Sequence, residues 1–191
     1  MNVIQSQADD LIKFKLREDN DYKEFLSDVR SHLYEYKKTV HKVEFTERVI
    51  NITKIKYDKH LEVCTEKTSG KCKKNKYFEN VLFFLQEELE EFESELTPED
   101  FTRAERNSIN EGIKQILADL DKIKLGQQIT YDDFKEEFEE LKDFYFLNKK
   151  NWKQLFAGKI TEMVAGGIIS ETVSKDLVDL IQSSYTQIAG K

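Results

Sequence analysis

The sequence predicts an all-α protein: an elongated, mostly antiparallel bundle of five to seven helices, with long, coiled-coil-like members. Three observations lead there. Proline and glycine punctuate turns, yet the 191 residues hold one proline, Pro98, and seven glycines. Apolar residues recur three and four apart, and no stretch of five or more alternates as a half-buried strand would. Charged residues make up 35% of the chain, enough to coat the outer faces of such helices.

The first element expected is a short amphipathic segment, Ala8 to Arg17, with Leu11, Ile12, Phe14 and Leu16 apolar. Asp19, Asn20 and Asp21 then offer an N-cap. From there Tyr22, Leu26, Val29, Leu33, Tyr36, Val40 and Val43 step alternately by four and three, a heptad seam. The seam continues less cleanly through Ile50, Tyr57, Leu61 and Cys64. One helix over 21–64 would be roughly 65 Å long, so it is expected either to project as a coiled-coil arm or to break near Phe45–Thr53. There the seam is poorest and β-branched residues crowd together.

Thr65 to Lys76 is polar, contains Gly70 and is expected to be a loop. A second seam follows at Phe78, Leu82, Leu85, Leu89, Phe92 and Leu96. Thr97-Pro98-Glu99-Asp100 combines a cap, a first-turn proline and two acids, which is a helix-start signal. The helix it opens carries Phe101, Ile109, Ile113, Ile116, Leu120 and Ile123 and ends at Gly126. Thr130 to Asp133 opens another, with Phe134, Phe138, Leu141 and Tyr145. The composition changes after Asn148, where four of the seven glycines lie. Helices at about 151–165 and 172–188 are expected there, joined through Gly166-Gly167. The division expected is a bundle over 1–148 and a C-terminal hairpin over 149–191 packed on the same body.

Composition narrows the functional classes. No run approaches the eighteen or so apolar residues of a transmembrane helix, and the N-terminus lacks the basic-then-apolar order of a signal peptide. A cytoplasmic protein is expected, and two cysteines suit a reducing compartment. The bias of 25 Lys to 5 Arg hints at an AT-rich coding sequence, bacterial or phage.

The net charge of −7 conceals a separation. Residues 1–78 hold 17 basic and 13 acidic side chains, whereas 79–143 hold 7 and 20. EELEEFESE (87–95) and DDFKEEFEELKD (132–143) put carboxylates on the outward faces of two successive helices. Such faces steer basic partners and repel nucleic acid. Five lysines cluster between Lys67 and Lys76, but without interleaved aromatics.

Motifs for chemistry are scarce. His60 and Cys64 lie one turn apart with Cys72 beyond, three potential ligands where a structural zinc site needs four; no metal or cofactor is expected. A Cys64–Cys72 bridge would form only under oxidant. His32, flanked by Leu33, Tyr34 and Tyr36, is too crowded for phosphotransfer from a receiver domain. The Glu-x-x-His pairs of di-iron bundles are missing, since Val29, Lys38 and Tyr57 stand three before the histidines. Neither a phosphate-binding glycine loop nor a Gly-x-Ser-x-Gly elbow occurs.

The function expected is therefore a non-enzymatic protein-interaction module, an adaptor or scaffold that binds another protein or a second copy of itself. The alternative is a small acidic inhibitor (an immunity protein, antitoxin or phage-encoded blocker) occluding a basic target through 87–143. Neither nucleic acid nor membrane is expected as partner. The candidate contact residues are Glu87, Glu90, Glu91, Glu137 and Glu140. With them go the off-stripe aromatics Phe84, Phe144 and Phe146, whose neighbours already occupy the main apolar stripe.

Overall fold

Seven helices are delimited in this computed structural model, which describes residues 2–17, 21–66, 70–122, 128–167, 169–171, 174–175 and 177–179; the described residues contain no strand. They are α1 (Val3–Lys15), α2 (Tyr22–Glu35), α3 (Thr39–Val63), α4 (Lys73–Ser94), α5 (Arg103–Lys122), α6 (Gln128–Lys142) and α7 (Lys149–Ala165). The all-α fold class holds. Two compact units result, Met1–Leu96 and Thr97–Lys191.

In the first unit the packed neighbours are α1 with α2, α2 with α4, α4 with α3 and α3 with α1, a closed ring of four helices. Directions follow from which residues meet. Thr39 reaches Glu95, Lys42 lies over Phe92, and Tyr57 bonds Glu79, so α3 and α4 are antiparallel. Lys15 meets Asp28 while Gln7 meets Tyr36 just past α2, so α1 and α2 are antiparallel too. Asn2 bonds Glu44 and Asp9 bonds Arg48, which runs α1 alongside α3 in the same sense. The first unit is thus two antiparallel hairpins set side by side. Phe25, Phe45 and Phe78 are completely enclosed, and each such ring stabilises the fold by about 2–3 kcal/mol through burial.

Several boundaries differ from expectation. α1 starts at Val3, five residues early, because the Asn2 side chain accepts from the Gln5 N–H at 3.0 Å and caps it. The segment 21–64 neither projects as an arm nor breaks at Phe45–Thr53; it breaks at Tyr36–Lys38. Tyr36 and Lys38 take ordinary extended dihedrals, so the bend needs neither glycine nor proline. Tyr36 leaves the helix to bond Gln7 and to rest its ring 5.5 Å from Phe45. Through the supposed weak point, Val43, Thr46, Val49 and Thr53 form a buried stripe. α3 is flanked by α1 and α4, so its inward face is broader than a heptad seam. α4 begins at Lys73, inside the expected loop, because Asn75 and Tyr77 are already buried.

In the second unit α5 packs on α6 and α6 on α7. Helix α5 starts at Arg103 rather than at Pro98. Two Thr-x-x-acid boxes follow one another there. The first, Thr97 to Asp100, closes only a turn, with Asp100 accepting from the Thr97 N–H at 3.0 Å and hydroxyl at 2.7 Å. The second caps the helix: Glu105 accepts from the Thr102 N–H at 2.9 Å, and Thr102 Oγ1 accepts from the Glu105 N–H at 3.2 Å. Between them Phe101 dips into the core. α6 is already helical at Gln128, which puts Thr130 inside the helix rather than at its cap.

Residues on both sides of the boundary expected after 148 lie in the second compact unit. Trp152, Phe156, Ile160 and Met163 of α7 share one core with Phe101, Ile109, Ile113, Phe138, Leu141 and Tyr145. α7 ends in the predicted glycine pair, Gly167 taking the left-handed φ of 69° that a glycine adopts without strain. Its N–H bonds the Val164 carbonyl at 3.0 Å, and Ile169 returns to the core. The rest of the last expected helix, about 172–188, lies largely outside the described residues.

Candidate functional site

The predicted contact residues separate into two sets. On α4, Glu87, Glu90 and Glu91 are exposed, and among the described residues none of them is paired with a lysine or arginine; Glu90 accepts only from the Gln86 amide, at 3.2 Å. Glu88, by contrast, turns inward and takes Arg30 at 2.6 Å. The same outer stripe carries Phe83, 59% exposed, and beside it Phe84, 36% exposed and stacked on Tyr22 at 5.9 Å.

The charges on α4 oppose its own dipole. Lys73, Lys74 and Lys76 occupy its start, and Glu87, Glu90, Glu91 and Glu93 its last two turns. A helix favours the reverse, by a few tenths of a kcal/mol per exposed charge.

On α6 the picture changes. Glu137 and Glu140 both meet Lys159 of α7, the latter at 3.4 Å, and Glu139 takes Lys142 at 2.6 Å. The α6 carboxylates named as contacts are therefore matched within their own unit. Phe144 packs against the core of that unit, and Phe146 lies half-buried 6.0 Å from it. The Phe144 ring extends the core, and neither ring is exposed as Phe83 is. The acidic residues of 87–143 thus fall into two sets, one on α4 in the first compact unit and one on α6 in the second.

A second arrangement counts only three donors in the sequence, and the fold brings them together. Cys64 caps the end of α3 and Cys72 the start of α4, so the hairpin turn folds them toward each other. His60, one turn before Cys64, completes the group: one ligand atom from each of the three lies within 4.8 Å of the others. His60 Nε2 stands 3.4 Å from Cys72 Sγ. The imidazole is steadied by the Phe78 ring, 6.3 Å away, which in turn stacks on Tyr57 at 5.4 Å. All three donors are half-buried.

Backbone N–H groups at the head of α4, first that of Asn75, together with His60 and Cys64, bring the Cys72 thiol down to about 7 against the opposing effect of burial. Tyr57 is pushed up to about 12, first by burial and then by its bond to Glu79 at 2.8 Å, and so remains a protonated donor. The signal in the sequence was the spacing itself: one helical turn between His60 and Cys64, then a short connection to Cys72.

Comparison with protein-family models, with curated proteins and with solved structures gives no match for this chain. The described residues include no helix long and apolar enough to cross a membrane.

Proposed function

We propose that this protein works by binding another protein, and that its docking face is the outer stripe of α4, with a basic partner surface as counterpart. The observation that carries the reading is the uncompensated set Glu87, Glu90 and Glu91 beside Phe83, held at the end of a helix whose dipole disfavours it. A structural explanation would place those carboxylates at the other end of α4 or beside lysines, as it does for Glu137 and Glu140. Phe83 supplies the apolar anchor that such an interface needs at its centre, and the carboxylates supply steering and register.

This form of the reading draws on both expected classes. An adaptor engaging its partner through heptad seams is less well supported, because the seam positions Leu26, Val29, Leu33, Val43, Phe78, Leu85 and Leu89 are used inside the four-helix unit. Self-association face to face on α4 would set like charges against one another. A basic target fits, and the protein is an inhibitor if the surface it covers on that target is functional.

The test is a triple charge reversal, Glu87→Lys, Glu90→Lys and Glu91→Lys, measured against a partner captured from the native host. Binding should slow as salt rises and vanish in the variant, while helicity by circular dichroism is unchanged and the thermal midpoint is equal or slightly higher. Equal affinity of wild type and variant for that partner would refute the proposal.

A further inference from the structure

We propose that His60, Cys64 and Cys72 form a binding site for a zinc-class divalent cation, with two sulfur ligands, one imidazole nitrogen and a fourth position open to water or an outside ligand. Tetrahedral zinc holds sulfur at about 2.3 Å and nitrogen at about 2.0–2.1 Å, which puts neighbouring ligand atoms about 3.5–3.8 Å apart. The His60–Cys72 separation of 3.4 Å already matches that edge, and the whole triad, within 4.8 Å, needs shifts on the order of 1 Å.

Convergence of the imidazole distinguishes this arrangement from a cysteine pair poised for a disulfide, which gains nothing from a third donor. Softness points the same way, because two thiolates and an imidazole select zinc over magnesium or calcium. Charge also balances: a dication with two thiolates and a neutral imidazole is neutral overall, so it adds no positive charge beside Lys71, Lys73, Lys74 and Lys76. No other His, Cys, Asp or Glu among the described residues joins the group, which leaves the fourth position to an exogenous ligand. Bound there, the ion ties the end of α3 to the start of α4 and pins the base of the face proposed for docking.

The experiment uses the full chain, reduced and stripped with a chelator, and cobalt(II) alone as the probe. One equivalent should bind, giving a thiolate-to-cobalt charge-transfer band and the intense visible bands of a tetrahedral field. Cys64→Ser and Cys72→Ser should each weaken binding by at least roughly tenfold, and His32→Ala should leave it unchanged. Because a variant can lose structure, circular dichroism accompanies each one. A wild-type measurement stands beside them: zinc(II) should slow alkylation of both cysteines. Cobalt binding that survives the double cysteine variant would overturn the site. So would failure of the reduced, folded chain to bind, or unchanged alkylation with zinc.

Discussion

At the scale of single residues, the fold is held by a few buried polar decisions. Trp152 is fully enclosed, and its Nε1–H donates to the Leu141 carbonyl at 3.0 Å, tying α7 to the end of α6. Trp152→Ala should cost about 3–5 kcal/mol in urea denaturation. Thr53 stands at the other extreme, fully buried with its hydroxyl unpartnered among the described residues. Thr53→Val keeps the shape and removes that hydroxyl, so stability should rise by about 1 kcal/mol. Two carboxylates set the acid limit. Asp9 is held below its usual 3.8 by its hydrogen bond to Arg48 and, burial opposing, by the charge of Arg48. Burial works on Glu105 in the opposite direction, but Lys149 at 2.7 Å and the Thr102 N–H and hydroxyl outweigh it, and the net shift is below 4.5. Depressed folded pKa values contribute stability above the ordinary values and lose it as pH falls through the folded ones. The thermal midpoint should therefore drop below about pH 4, and Asp9→Asn with Glu105→Gln should flatten that drop.

At the scale of elements, the helix boundaries show what a sequence pattern can and cannot carry. Periodicity located α4, α7 and the start of α2 within a few residues, because each buries one stripe against one side of its unit. It misplaced the bend in 21–64, since Tyr36 and Lys38 bend in extended conformations open to any residue, and only the distant Gln7 shows why the chain turns there. The start of α5 went astray for a related reason. Both Thr-x-x-acid boxes satisfy the local rule, and Lys149, 44 positions beyond Glu105, is what anchors the second. The same logic governs the candidate sites. The charge bias of 87–95 was legible, whereas its survival on α4 and loss on α6 depended on where Lys159 lands. The α2–α3 junction is itself improvable: Lys38 occupies the N-cap of α3 with no side-chain bond to the helix. Lys38→Asp should stabilise the first unit by about 1 kcal/mol, read as a rise in thermal midpoint.

At the scale of the whole chain, two cores imply two bodies to consider. Residues 1–96 close a ring of four helices around their own aromatic centre. A chain ending at Leu96 should therefore fold with a cooperative thermal transition and native-like helicity, and it should keep the α4 face and the His60, Cys64, Cys72 group intact. A broad, uncooperative melt of that fragment would mean that the second unit contributes to its stability. The tryptophan described above has an optical consequence. As the sole indole of the molecule, Trp152 makes red-edge-excited fluorescence a private signal of the α6–α7 corner. A spectroscopist following a titration at α4 by intrinsic emission would be watching the wrong half, and an indole engineered in place of Phe92 would give that half a voice of its own.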